Sequence, residues 1–191
     1  MVWNENDWAW VKGTDETNEG VAAKYAVSVT NAGVYLMVDV ADDTYVGNDS
    51  GSAENMWRYD ALQMALDTGE YTMLSDRVEF QIGMLNGKPT IYKEATPYIG
   101  GNLIDNWTRQ GEVMPSKNVN IETRDGGILY KVFLPNSEMY PFAYVGSEAT
   151  LCMSLLVNDN DGDGRKGYLE WSSDIGASKD SALYGKIPLG Q

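Results

Sequence analysis

RVEFQIGM, at residues 77–84, carries the pattern from which the fold class follows. Its apolar side chains stand at every second position, and the positions between them hold charged, polar or glycine residues. This period of two is typical of a β-strand that turns one face into a core, and it does not match the 3.6-residue period of a helix. The segment therefore predicts a half-buried strand.

The same alternation returns along much of the chain. It is clearest in YDALQMALD at residues 59–67 and in ILYKVFLP at residues 128–135. With further short apolar runs bounded by Gly, Asn, Asp or Pro, we count roughly ten strands and no convincing amphipathic helix. Residues 93–117 are rich in Gly, Pro and Asn, which predicts loops or an edge hairpin there. The pattern favours an all-β fold, an antiparallel β-sandwich of jelly-roll type.

The size of the chain indicates one folding unit. At 191 residues with 43% hydrophobic residues, it can bury one sizeable core, and we find no repeat, linker or low-complexity tract. We therefore treat residues 1–191 as a single domain. No run of eighteen apolar residues occurs, so no membrane-spanning helix is predicted. The first residues, MVWNENDWAW, do not form a secretion signal, and we expect a module excised from a larger exported protein, secreted or at the cell surface.

The charge and the missing histidine exclude several function classes. The formal net charge is −14, so nucleic acid and anionic membranes would be repelled rather than bound. Without histidine there is no Ser/His/Asp or Cys/His catalytic group and no His-ligated metal or haem. The single cysteine, Cys152, lies in an apolar run and is predicted to be a core residue.

The strand faces that point away from the core carry small and polar residues. If Leu62 and Met64 point inward, their neighbours along the strand line the opposite face. With the same rule applied to residues 77–84, this face holds Ala61, Gln63, Ala65, Glu79, Gln81 and Gly83. We predict a shallow polar floor there, and both an ordinary solvated face and a binding groove remain open.

An acidic segment near the carboxyl end matches the spacing of a calcium loop. Counted from Asp159, the acids and glycine fall where the twelve-position pattern requires them. The predicted metal ligands are Asp159, Asp161, Asp163 and Glu170. Apolar runs on both sides are predicted to be strands, so we exclude the helix-loop-helix of an EF-hand but keep calcium as the expected cofactor. A bare turn held by Asx hydrogen bonds is the alternative.

A second acidic patch follows the run GVYLMVDV. It consists of Asp39, Asp42 and Asp43. We interpret it as a solvated strand end, with metal binding as the alternative.

Aromatic residues with a polar edge are abundant. The chain has six Trp and twelve Tyr but three Phe. Proteins bind sugars by stacking such rings on the pyranose face and by hydrogen-bonding its hydroxyl groups. Trp57 stands in a polar loop directly before a predicted strand, and Trp171 ends the run GYLEW, where packing in the core is equally open. Trp107 lies in an irregular segment, and Trp3, Trp8 and Trp10 are expected to cover one sandwich edge.

Six ordered segments together resemble a known family. They read GVYLMVDVADD, WRYDALQMALD, RVEFQIG, GGILYKVFLP, LLVNDNDGDGRKGYLEWSSDIG and YGKIPL. The series resembles the family 9 carbohydrate-binding modules and the wider DOMON-like sandwich group, over residues 25–189. Its most specific parts are the W..D.L strand start and the late NDNDG..R.GYLEWS segment.

The resemblance implies a jelly-roll sandwich with structural calcium that grips a sugar between two tryptophans, often at the reducing end of xylan or cellulose. The ligand-binding residues it implies are Trp57 and Trp171 as the sandwiching pair, with Gln63, Glu79, Gln81 and Arg77 as polar contacts. The family more often has an acid near Gln63 and an arginine within the next strand, where this chain has Arg77 near the strand start.

We therefore predict a non-catalytic carbohydrate-binding module without catalytic residues. Its partner would be a polysaccharide or oligosaccharide, and the module would be monomeric and tethered to other domains. One alternative is a glycan-active enzyme, a hydrolase or lyase, for which Glu79 is the best single acid, although no second carboxylate is evident beside it. The other is a calcium-stiffened adhesion or spacer domain without a sugar site.

Overall fold

The fold is taken from a computed structural model that describes most of the chain. The described residues are 11–12, 21–49, 51–67, 77–95, 98–99, 102–103, 111–138, 150–172 and 175–188. Trp107 and the N-terminal tryptophans Trp3, Trp8 and Trp10, for which the sequence made predictions, lie outside these residues.

Thirteen strands make up the regular structure of the described residues. They are β1 (Val11–Lys12), β2 (Ala22–Thr30), β3 (Gly33–Ala41), β4 (Ala61–Asp67), β5 (Val78–Leu85), β6 (Lys88–Ala95), β7 (Tyr98–Ile99), β8 (Asn102–Leu103), β9 (Val119–Arg124), β10 (Gly127–Pro135), β11 (Thr150–Asn160), β12 (Arg165–Trp171) and β13 (Gly185–Pro188). The described helices are short 3-10 turns: Ala53–Arg58, Ser116–Asn118, Asn136–Glu138 and Ser181–Leu183. In the described part of the chain, therefore, no helix has the length and apolar character to cross a membrane.

The strands form two antiparallel sheets that pack face to face. The first sheet has the order β1-β2-β3-β10-β9, and the second has the order β12-β11-β4-β5-β6 with β13 paired to the start of β11. This arrangement confirms the predicted all-β antiparallel sandwich. The short strands β7 and β8 pair with each other, in the region where an edge hairpin was predicted.

The core lies between the sheets and is built by the alternation read from the sequence. Leu62, Met64 and Leu66 of β4 are fully buried in it, opposite Leu36 and Val38 of β3. Each such side chain contributes about 1.5–3 kcal/mol of burial free energy. Because the side-chain period is two, this core also decides which residues face outward.

Strand β6 was not predicted. Its sequence, KPTIYKEA, is mostly polar, yet Ile91 enters the core and Lys93 is also buried. The signal that identifies it is the dipeptide before it: Asn86 and Gly87 both have positive φ, 50° and 71°, as a two-residue type I′ hairpin turn requires. An Asn-Gly pair after an alternating strand therefore predicts a second strand.

The outer face of the second sheet is not the shallow polar floor that was predicted. Ile175 and Tyr184 fold back over it and bury Ala65, Cys152 and Leu156 in a second apolar cluster. The reason is tertiary, because the chain after β12 crosses this face before β13 joins the edge. Polar groups remain on the rest of the face.

The acidic segment is a β-hairpin, as the exclusion of an EF-hand required. Asp159 is still within β11 and pairs with Gly167 of β12, which leaves residues 161–164 as the connecting turn. Gly162 and Gly164 take φ of 105° and 106°, conformations that favour glycine. A twelve-residue loop therefore does not form, and the spacing match has no geometric counterpart.

Candidate functional site

Trp57 lies in the 3-10 turn that precedes β4, and Gln81 of β5 holds this turn in place. Gln81 Oε1 accepts a hydrogen bond from the Trp57 backbone N–H at 2.8 Å. Its Nε2 donates to the Glu54 carbonyl at 3.1 Å and to Glu94 Oε2 at 2.8 Å. Both donors of the amide are thus used, and Gln81 is 1% exposed. Its role here is to position the turn.

Two arginines lie against the half-buried Trp57 ring. The guanidinium carbon of Arg58 is 5.0 Å from the ring centre, and that of Arg165 is 5.4 Å away. Arg165 also lies 4.8 Å from the ring centre of Tyr168. These distances fall within the range of cation–π attraction. The indole and the phenol therefore form a platform that orients Arg165.

A hydrogen-bond chain links this platform to the sheet. Arg165 Nε donates to Asn158 Oδ1 at 2.8 Å, and Asn158 Nδ2 donates to the Ala61 carbonyl at 3.1 Å. The same Nδ2 lies 3.4 Å from Gln63 Oε1, a long hydrogen bond. We call the set Trp57, Arg58, Gln63, Asn158, Arg165 and Tyr168 the Trp57 surface.

Trp171 lies on the other side of the same sheet. It pairs with Leu155, a core residue, and its ring lies 4.8 Å from the ring of Tyr25 on the first sheet at an interplanar angle of 59°. The ring packs against the main core. The expectation that Trp57 and Trp171 face each other across a sugar-wide gap is therefore corrected. Trp171 lies two residues after Leu169, a buried core residue, and so points to the same inner face of the strand.

Glu79 and Arg77 are brought together, but in an ion pair rather than around an open groove. Glu79 is 0% exposed, and its carboxylate pairs with Arg77 Nη2 at 2.8 Å and with Lys179 Nζ at 2.8 Å. Lys179 belongs to the segment that folds over the outer face. The carboxylate is thus neutralised by two cations and tied to the segment that covers it.

Five aspartates meet where the two sheets approach each other. One group has carboxylate oxygens within 4.8 Å of one another and consists of Asp42, Asp60 and Asp159, all buried; a second group shares Asp42 and adds Asp43 and Asp161. We call these five residues the aspartate cluster. They come from three connections: the end of β3, the start of β4 and the β11–β12 hairpin.

Burial raises the pKa of the three inner carboxylates above the usual value for aspartate. Desolvation raises the pKa of Asp60 to about 7, opposed by hydrogen bonds from the Val46 and Asn160 backbone N–H groups. Desolvation also raises the pKa of Asp42 and of Asp159, and Lys166 partly offsets both shifts. The donor set is oxygen only, which suits a hard cation such as calcium, and a cation would remove the cost of burying these charges.

The structure keeps only part of the predicted ligand set together. Asp159 and Asp161 lie in the aspartate cluster, whereas, among the described residues, Asp163 and Glu170 belong to no such group. Asp163 is exposed in the turn, and Glu170 accepts the Gly176 N–H at 3.0 Å on the outer face. The hairpin geometry causes this separation, because Glu170 lies well along β12.

The second acidic patch is divided. Asp42 is buried within the aspartate cluster, so the interpretation of a solvated strand end is wrong for it. Asp39 points to the other side of β3 and forms ion pairs with Lys24 and Arg124.

The aspartate cluster and the Trp57 surface are joined through Asn160. Its backbone N–H donates to Asp60 Oδ1 at 2.7 Å, and its Nδ2 donates to the Arg58 carbonyl at 2.7 Å. A shift in the position of Asp60 can therefore be passed to the Arg58 backbone through the single residue Asn160.

Sequence reasoning missed several of these residues. They are Asp60, Arg58, Asn158, Arg165 and Tyr168. The only available signals were the outward-facing strand positions of Asn158 and Tyr168, and the position of Asp60 just before β4. The proximity of the arginines to Trp57 depends on how the hairpin packs on the turn, which no local pattern encodes.

Comparison with solved structures identifies the fold. A family 9 carbohydrate-binding module from Caldicellulosiruptor kristjanssonii, in complex with cellotriose, matches with a TM-score of 0.69 at 13% identity, over 95% of this chain and 82% of that one. The chain has the family 9 module fold. The glucose complex from the same organism matches with a TM-score of 0.68 at 14% identity, over 97% and 85% of the two chains.

The likeness extends to a third solved structure. A Bacteroides uniformis protein matches with a TM-score of 0.58 at 10% identity, over 95% of this chain and 86% of the other. No protein-family model and no curated protein matches the sequence. The family 9 module fold is thus recognised in three dimensions, at an identity too low to transfer individual residues.

Proposed function

We propose that this protein is a non-catalytic carbohydrate-binding module that binds a glycan at the Trp57 surface. The observation that carries the proposal is the placement of the half-buried Trp57 ring beside polar groups on an outer sheet face. Such a combination of an aromatic ring and hydrogen-bonding groups suits a pyranose. The family 9 module fold, which includes modules solved with cellotriose and with glucose, supports it.

The Trp57 surface offers free hydrogen-bond donors to a sugar. Gln63 Nε2 has no acceptor among the described residues, because the only bond of this amide uses Oε1. The terminal nitrogens of Arg165 are likewise free of protein acceptors in the described chain. A ligand hydroxyl can accept from either group.

Trp57→Ala tests the proposal directly. We expect affinity for cello- and xylo-oligosaccharides to fall about tenfold or more, because the substitution removes the apolar contact and the platform under both arginines. Isothermal titration calorimetry on the purified chain measures the change. Unchanged affinity in Trp57→Ala would show that the glycan binds elsewhere.

Trp171→Phe is the matched control. It also replaces a half-buried indole of the same sheet with a smaller side chain, but this indole lies on the opposite face, where it packs against Tyr25. We expect it to keep the glycan affinity. A loss of affinity in this variant equal to that of Trp57→Ala would argue for a general effect on folding.

Glycan cleavage is the less favoured function. The best acid, Glu79, is fully buried and held by Arg77 and Lys179, which suits a structural carboxylate better than a general acid. Release of reducing ends that is lost in Glu79→Gln would instead establish an enzyme.

We also propose that calcium binds at the aspartate cluster as a structural ion. The chemistry of the cluster suits calcium, because three buried carboxylates offer only oxygen ligands and the chain has no histidine. Asp42, Asp60 and Asp159 would hold it, and the ion would supply the positive charge that buried carboxylates require. Its effect on the sugar site would pass through Asn160 to Arg58.

The proposed setting is outside the cell. Polysaccharides are found there, and we propose that the module is monomeric and tethers other domains of a secreted or surface protein to them.

A further inference from the structure

Two cationic side chains of a strongly acidic protein converge on one ring. The chain has 14 Lys and Arg residues against 28 acids, and Arg58 and Arg165 both lie within cation–π distance of Trp57. Among the described residues, neither arginine has a carboxylate partner, although other cations of the chain, such as Lys179 and Arg77, do. Within the described part of the chain, therefore, no carboxylate forms an ion pair with either arginine at this place.

Arg165 is fixed in position rather than free to move. Asn158 accepts its Nε at 2.8 Å, and the guanidinium lies against Trp57 and Tyr168. Partial burial lowers the pKa of Arg165, opposed by the Tyr168 hydroxyl, yet an arginine remains charged at neutral pH. A partly desolvated cation without a counter-ion is unfavourable, and an anion that reaches it is bound more strongly than at an exposed lysine.

The Trp57 surface has several hydrogen-bond donors that have no acceptor among the described residues. They are Gln63 Nε2, the terminal nitrogens of Arg165 and the guanidinium of Arg58, which is exposed. Of the neighbouring carboxylates, Glu79 is held by two cations and Glu94 accepts from Gln81, whereas Glu54 of the Trp57 turn is exposed. The surface therefore suits a ligand that offers acceptors.

We infer that the Trp57 surface binds the carboxylate of an acidic sugar, a uronic acid residue within a glycan, through Arg165 and Arg58. This inference rests on the proposed function and names its substrate class. A carboxylate matches the planar fork of a guanidinium with two parallel hydrogen bonds, which a neutral hydroxymethyl group cannot form. The net charge of −14 disfavours densely charged polymers, so a largely neutral glycan with isolated uronic acids fits best.

Probes that differ only in the carboxylate test the inference. Cellobiouronic acid is compared with cellobiose, and glucuronic-acid-substituted xylo-oligosaccharides are compared with their carboxyl-reduced forms, by isothermal titration calorimetry on the full chain. We expect the acidic member of at least one pair to bind about tenfold more tightly, as a charge-assisted bidentate contact provides. Added salt should weaken the acidic ligand more than the neutral one.

Arginine variants assign the preference to the Trp57 surface. Arg165→Gln and Arg58→Gln should each lower the ratio of acidic to neutral affinity towards one, and Arg165→Lys should keep part of it. Arg58 is exposed, so its substitution tests the charge without a risk to folding. Lys88→Gln changes the net charge equally at the exposed β5–β6 turn and should leave the ratio unchanged.

The outcomes separate this inference from the proposed function. Equal affinity for acidic and neutral probes overturns the inference and leaves carbohydrate binding intact. Binding of neither class overturns both. An acidic preference that survives in Arg165→Gln and Arg58→Gln also overturns the inference, because the carboxylate then lies elsewhere.

Discussion

Trp57 and Trp171 are both half-buried indoles of the second sheet, and they differ in the face that they occupy. Trp57 reaches the outer face through the turn before β4, where arginines contact it. Trp171 points into the space between the sheets and contacts Tyr25. A single tryptophan pair flanking a sugar is therefore not available at these positions.

At this scale we predict the effect of Trp171→Ala on stability. The substitution removes an indole that packs on the core, so we expect the free energy of unfolding to fall by about 2–3 kcal/mol, less than for a fully buried tryptophan. Urea denaturation followed by circular dichroism measures it. A loss below about 0.5 kcal/mol would place the ring in solvent instead.

Among the elements, the turn Ala53–Arg58 depends most on a single side chain from another strand. Gln81 satisfies one N–H and one carbonyl of this turn and is itself buried. The turn contributes few core residues of its own, with Met56 the one fully buried side chain. Its position, and so that of Trp57, follows from β5.

We therefore predict that Gln81→Leu affects glycan binding through the turn. The variant leaves the Trp57 N–H and the Glu54 carbonyl without their partner, which should cost about 1–3 kcal/mol of stability and weaken glycan affinity severalfold. Thermal melting and glycan titration measure the two effects. Ser154→Ala is the control, because it removes a buried hydroxyl for which the described residues provide no hydrogen-bond partner. Full glycan affinity in Gln81→Leu would contradict the role of Gln81 in positioning Trp57.

Across the whole molecule, the aspartate cluster links the two sheets. Asp42 follows β3 of the first sheet, whereas Asp60 and Asp159 belong to the second. At a concentration of about a hundred times its dissociation constant, calcium should stabilise the fold by roughly 2.7 kcal/mol. The melting temperature should fall in EGTA and recover with calcium, and Asp60→Asn should abolish the response. A melting temperature that ignores calcium would exclude the structural ion.

The calcium-free protein should also become less stable as the pH rises. Burial raises the pKa of Asp60 to about 7 from its usual 3.8, so the folded state binds this proton more tightly than the unfolded state. The resulting stability is fully present below about pH 4 and is lost as the pH approaches 7. Urea midpoints in EGTA at several pH values, compared with Asp60→Asn, isolate this effect. A difference between wild type and variant that does not change with pH would contradict it.

Much of the fold was predictable because strand alternation is a local property. The alternation in β4, β5 and β10 set the core, and the flanking strands excluded an EF-hand. The candidate site was predictable only in part. Trp57 and Gln63 lie on one surface, but Glu79 and Gln81 form hydrogen bonds within the protein. Local patterns could not predict these bonds, because the partners Lys179 and Glu54 are remote in sequence.

By itself, the sequence determined the fold class, the inward residues of each long strand, the acidic character and the absence of histidine chemistry. These properties depend on composition and on a period of two residues, which neighbouring positions define. Only the tertiary structure decided which aspartates meet, which tryptophan faces outward and where the arginines lie. Those relations join residues up to about a hundred positions apart, such as Asp60 and Asn160, and packing alone brings them within hydrogen-bond distance.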